Sequence, residues 1–314
     1  MRCDLHVHSY YSGFVNQPVL RHLGRDSYSD PRNVYDTAKR RGMDLVTLSD
    51  HDSIEGALQL AGRDDFFVSE EVTCVMEENA GWHPRVLHLG VLGITEAQHE
   101  AIALRRTDPA RLVAYLDEER LAWCVNHLFS PLTGPRTMSD FSFVLERAHA
   151  LETKNSMMPS HTNDFAARVA GSRGLGTVGG SDAHAVGSVA RAYTEVAGAT
   201  SVPEFLEGVR SGRAVAMGHS GNTALLTRDV AVNFALGYIE SFRNAYRSGN
   251  HALRALALVG ISPMIPFIPM LTSLIFRKEI RGSERLYAEF IGAGLGELES
   301  SPEPVDVSIA EPAL

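Results

Sequence analysis

Histidines and carboxylates recur along the first 190 residues in short, closely spaced groups. The first is Asp4-Leu5-His6-Val7-His8. On an extended strand, residues two apart project to the same face, so His6 and His8 set two imidazoles side by side, half of a metal site. Ser49-Asp50-His51-Asp52 follows the apolar run from Asp44, and Glu70-Glu71 closes the run from Phe66. His88 lies within Val86–Val91, His127 follows Leu121–Asn126, and Ser181-Asp182-Ala183-His184 follows Val178-Gly179-Gly180. One H-x-H pair fits a packed core as well as it fits a metal. Six groups at or near the ends of apolar runs have no such packing explanation. Imidazole with carboxylate and no thiolate suits zinc, manganese or iron rather than calcium or a structural zinc finger. A carboxylate can bridge two such ions about 4 Å apart, with a hydroxide between them to attack phosphorus.

Those groups need elements to bring them together. Short apolar runs alternate with helical patterns as far as residue 220, which predicts a barrel or a parallel sheet with its chemistry at the strand ends. The expected strands are Cys3–His8, Asp44–Ser49, Phe66–Val72, Val86–Val91, Leu121–Asn126, Ala150–Lys154, Thr177–Gly179 and Ala214–Met217. Ser29-Asp30-Pro31 reads as a helix start, a capping side chain before a first-turn proline, and Gly42 as its end. Further helices are expected at 53–61, 107–119, 140–148, 161–172 and 202–211.

Beyond residue 220 the pattern changes. Asn222–Arg247 reads as a polar helix, and Ala255–Phe276 carries no charged residue. That stretch is long enough to cross a bilayer, but Pro263, Pro266 and Pro269 suit a polyproline II segment better than a continuous helix. Helices docked on the barrel, a peripheral membrane contact through 255–276 and a spanning segment all stay open. The chain therefore divides into a metal-binding barrel at 1–220, a helical apolar region at 221–296 and a Pro/Glu/Ser-rich, disordered tail at 297–314.

The net charge of −9 argues against a grip on long nucleic acid, which needs a basic surface. Arg21, Arg25 and Arg32 leave a local basic patch near the mouth. Cys3, Cys74 and Cys124 form neither a disulfide framework nor a C-x-x-C pair, and no signal peptide opens the chain, so a cytoplasmic location is expected.

The ordered segments H-x-H, S-D-H-D, E-V-T, H-x-G, N-H and G-S-D-A-H resemble those of the polymerase and histidinol phosphatase (PHP) family over residues 1–220. The resemblance implies a distorted (β/α)7 barrel and a metal-dependent phosphoesterase holding two or three divalent ions of manganese, zinc or iron. By it, His6, His8, Glu71 and Asp182 hold the first ion, and Glu71 bridges to a second held by His88 and His127. A third would use His51, His184 and a ligand at the end of the first motif. There Gly13 stands where many members have Asp, so His22, Asp26 or Asp30 would have to fold back. Catalysis would fall to His184, Asp182 and Glu71, with Arg191 and Lys154 as candidates to grip the substrate phosphate. The substrate would be a small phosphomonoester or a short nucleotide. The alternatives are an exonuclease on short nucleic-acid ends, or a metal-containing binding domain without turnover.

Overall fold

The computed structural model describes residues 1–14, 24–78, 84–244 and 249–296. The candidate ligand His22, the mouth residue Arg21 and the tail from 297 lie outside them. The architecture is mixed α/β. Strands β2 (Ser69–Glu77), β3 (Arg85–Leu92), β4 (Ala122–Val125), β5 (Ala150–Asn155) and β6 (Gly176–Gly180) form one sheet in that order. Strands β1 (Arg2–Cys3), β7 (Ala192–Glu195) and β8 (Val215–Gly218) form a second.

Strict strand–helix alternation fails at the start of the larger sheet. β3 runs antiparallel to both β2 and β4, while β4–β5 and β5–β6 are parallel. The connection from Glu77 to Arg85 is too short for a parallel crossover, which takes a dozen residues or more. The expected strands Cys3–His8 and Asp44–Ser49 are mostly extended segments joined by single bridges. Val7 pairs with Ala183, Val46 with Phe66 and His51 with Glu71, each in parallel. The Asp182 amide donates to the His6 carbonyl and the Ser49 amide to that of Val7. These bonds bring the first motif beside the second and the last.

The helices follow their caps. Helix α1 (Pro31–Arg40) begins where Asp30 accepts from the Arg32 and Asn33 amides, and Gly42 follows its end with a positive φ. Helices α2 (Glu55–Leu58), α4 (Pro109–Glu118), α5 (Met138–Leu145), α6 (Ser160–Arg173) and α7 (Val202–Arg210) fall at the expected places. Helix α3 (Glu96–Ala103), opened by a Thr95–Gln98 capping box, was not expected. The main core packs Leu87, Leu89 and Val91 of β3 on Trp123 and Val125 of β4, beneath Leu112 and Leu116 of α4.

Three further helices follow: α8 (Thr223–Asn244), α9 (Gly249–Ile261) and α10 (Ile268–Gly292). The proline spacing yields no polyproline II segment. Pro263 and Pro266 lie in a 3₁₀ stretch, Ser262–Phe267, and Pro269 lies in the first turn of α10, where a missing N–H costs nothing. Phe290 and Tyr287 of α10 pack on the cluster of Phe129, Phe141 and Phe165, with the Tyr287 and Phe165 rings stacked at 4.2 Å. Among the described residues, no single helix is long and apolar enough to cross a membrane. His251–Gly260 and Ile265–Gly292 pass that test only as a pair bent by 67°.

Candidate metal centre

Glu71 sits on β2 beside three extended segments, and its two oxygens face different imidazoles. Its Oε1 lies 3.1 Å from His127 Nε2 and 3.3 Å from His88 Nδ1. Its Oε2 lies 3.2 Å from His6 Nε2, 3.4 Å from His8 Nε2 and 3.2 Å from His51 Nδ1. Asp182 Oδ1 completes the group around the first motif, 3.5 Å from His6 Nε2 and 3.4 Å from His8 Nε2. The two Nε2 atoms are 3.1 Å apart. His6, His8 and Glu71 thus set three ligand-type atoms within 3.4 Å of one another, close enough to share one cation. All of these ligands except the partly exposed His51 are buried.

The fit to cations shows in atoms left over. His51 Nδ1 and His88 Nδ1 are buried within 3.3 Å of Glu71, yet out of hydrogen-bond geometry with it. Neither nitrogen has a hydrogen-bond partner among the described residues, which leaves both available to a cation. The described residues hold several overlapping clusters able to take an ion, including His6 with His8 and Glu71, and His51 with Glu71 and His88.

Gly13 is answered by Asp26. The chain leaves at Phe14 and returns to pair Phe14 with Arg25, and the Asp26 amide donates to the Gly13 carbonyl. Asp26 is thereby set beside the position its glycine neighbour leaves without a side chain. Its Oδ2 lies 3.2 Å from His184 Nε2 and 3.7 Å from His8 Nδ1, and it clusters with His8 and His51. Asp30, the other alternative, caps α1 instead.

Charge and burial oppose each other throughout. Burial alone would raise Glu71, but His6, His51 and His88 hold it well below the usual carboxylate range. His6, His8 and His184 do the same for Asp182. Burial would lower His184, but Asp26 and Asp182 raise it to about 10. His8 goes the other way, lowered to about 4 by burial and by His184 and His51.

Several further groups orient the candidate ligands. Glu152 accepts from His6 Nδ1 at 2.8 Å and from the His127 amide at 2.9 Å, so one carboxylate fixes two candidate ligands. Asn126 donates to Glu71 Oε1, and Asn155 to Asp182 Oδ2. Asp50 accepts from the Ser9 amide and hydroxyl, holding the turn after His8. Asp52 accepts from the Thr73 amide and pairs with Arg106. Asp52, His127 and Asp182 all adopt positive φ, a left-handed conformation that costs about 1–3 kcal/mol for a non-glycine residue and that surrounding bonds must hold.

A cavity of about 550 Å³ opens over these groups, lined by His51, His88, His127, Asp182 and His184 and walled by Ser130–Pro135. Neither Arg191 nor Lys154 lines it. For Lys154 the reason is an irregularity in β5 between Glu152 and Lys154, which places Glu152 and Asn155 on the site face together, in mutual hydrogen bond. Arg191 precedes β7 beside Arg41 and Arg228, behind the 186–188 turn.

A PHP-associated family model matches residues 160–214, the span that carries Asp182 and His184. That match covers less than a fifth of the chain. A stretch of 59 residues of this chain is 37% identical to an uncharacterized protein of Methanocaldococcus jannaschii, covering 19% of the chain and 33% of the relative. The match thus spans about a third of the length of that curated relative. PsfC from Pseudomonas syringae is similar in fold, with a TM-score of 0.51 at 17% identity over 75% of this chain and 97% of PsfC. The lesion-specific endonuclease PfuEndoQ from Pyrococcus furiosus aligns over 69% of this chain and 58% of its own, at 17% identity and a TM-score of 0.46.

Proposed function

We propose that this protein is a PHP-type metal-dependent phosphoesterase that hydrolyses a small phosphomonoester. The observation that carries the reading is Glu71, whose two oxygens face two different imidazole sets. In this reading the ring of extended segments from His6 to Asp182 is a distorted (β/α)7 barrel. His6, His8, Glu71 and Asp182 hold one divalent ion, and Glu71, His88 and His127 a second. His51, His184 and Asp26 hold a third, with Asp26 in the role that Gly13 cannot fill. Bound ions of this class supply Lewis-acid charge neutralisation and a water-derived nucleophile. The protein's own part is to hold the carboxylates ionised beside the imidazoles and to keep the ligand rings oriented through Glu152, Asn126 and Asn155.

Among the described residues no lysine or arginine lines the cavity, which supports a compact substrate held by the ions over a long nucleic acid held by its backbone. Three buried, unpaired cysteines agree with a reducing cytoplasm. The test is metal analysis of purified protein beside a screen of phosphomonoesters, phosphodiesters and 3′,5′-bisphosphates with manganese, zinc and iron. Glu71→Gln and His127→Ala should each lose bound metal and turnover together. Full turnover in either variant would end the reading.

A further inference from the structure

Residues 27–30, which follow Asp26, form no regular secondary structure, yet the Asp26 carboxylate lies among histidines. Beside the Asp26 bond to Gly13 and the Ser27 hydroxyl near the His8 and His184 carbonyls, further hold comes from α8, more than 200 residues later in the chain. Glu240 Oε1 accepts from Tyr10 Oη at 2.5 Å and from Arg25 Nε at 3.2 Å. The Arg25 guanidinium lies 3.7 Å from the Tyr10 ring centroid and 5.1 Å from that of Phe14. One carboxylate therefore ties the outgoing and returning strands of the segment, at Tyr10 and at Arg25, the residue next to Asp26. Asn233, two helical turns earlier on α8, donates to the Asp26 carbonyl at 3.5 Å. Gly237 lies between them against Tyr28, where a Cβ would come within 2.9 Å of the phenol oxygen.

We propose that Glu240 is a positioning residue for the third cation site. Through Arg25 and Tyr10 it holds Asp26 against His184 and His8, so that helix α8 is a working part of the metal centre. The proposal rests on the reading of Asp26 as a ligand. The Glu240 bonds to Tyr10 and Arg25 lie on the Asp26 side of the centre, so its loss should act on one ion and leave the others.

The experiment is equilibrium dialysis of the full chain against Mn²⁺, with bound equivalents counted by metal analysis and electron paramagnetic resonance. Asp26→Asn should lose one equivalent. Glu240→Ala should weaken that same equivalent about 10- to 100-fold, the usual effect of removing an orienting partner. The remaining equivalents should stay within about twofold of the wild type, and Glu240→Ala should add nothing on an Asp26→Asn background. Glu240→Gln keeps the side chain's shape but weakens its hold on Arg25, and decides the matter if the alanine variant does not fold. Wild-type Mn²⁺ binding in the Glu240 variants, with an equivalent lost in Asp26→Asn, would overturn the positioning role and leave Asp26 a ligand. An unchanged count in Asp26→Asn would overturn both.

Discussion

Single side chains in this centre work in pairs that lie far apart in sequence. Glu152 reaches His6 with one oxygen and the His127 amide with the other. Glu152→Gln should therefore weaken binding at more than one ion, about 10- to 100-fold by metal titration, though the residue need not touch an ion. Gly180 makes the complementary point about space. A Cβ there would lie 2.3 Å from His6 Cβ and 2.7 Å from the His6 backbone nitrogen, too close for the strand to absorb. Gly180→Ala should lower stability by roughly 2 kcal/mol or more and reduce bound metal, measured by denaturant unfolding and metal analysis. At this scale the residues that the fold brings together were legible, because imidazole and carboxylate recurring at the ends of apolar runs have few other uses. Glu152 was not, since Leu151-Glu152-Thr153 gives a face but no partner. Asp26 stood among three alternatives, and only the pairing of Phe14 with Arg25 selects it.

Elements decide which side chains the cavity receives. The irregularity in β5 takes Lys154 off the site face, and Arg191 lies behind the 186–188 turn. Lys154→Met and Arg191→Met should each change KM for a phosphomonoester by less than about twofold. Sequence spacing could not show this, because a single bulged residue inverts every face that follows it. Helix starts were legible where cap and proline coincide, as at Asp30-Pro31. The antiparallel course of β2 and β3 was not, since strand direction depends on what a connection can span.

Helix α10 also contributes a titratable group. Glu279 is buried and accepts from the Ser130 hydroxyl in the loop after His127, and burial raises it from 4.5 to about 7. Folding thus favours its protonated form. The stability this gives is present in full below pH 4.5 and is lost as pH rises through about 7. Against Glu279→Gln, the wild type should lose on the order of 2 kcal/mol across that window, seen in urea unfolding at pH 5 and pH 8.

Across the whole molecule, the boundary at residue 220 is crossed by packing and by polar contacts. Phe290 is fully buried against Phe129 and Phe141, and Gly282 fits against Pro131, where a Cβ would come within 2.4 Å of the ring. Phe290→Ala should cost about 3–5 kcal/mol in equilibrium unfolding, the usual range for emptying such a site. It should also loosen the Ser130–Pro135 wall of the cavity, read as faster amide exchange there. The change of composition near 220 was legible in the sequence. That the later helices pack on the loop after His127 and bond to Tyr10 and Arg25 was not, because no local pattern encodes which surface an amphipathic helix meets.

The bond from the Asp182 amide to the His6 carbonyl joins residues 176 positions apart. A chain made from its N-terminus must therefore hold its first two histidines without Asp182 until most of the polypeptide has been synthesised. The contacts from Glu240 and Glu279 arrive later still. Contacts so distant in sequence form slowly. Maturation of the centre is thus set late in the life of the nascent chain, and a cation captured early by His6 and His8 would be held by an incomplete set of ligands.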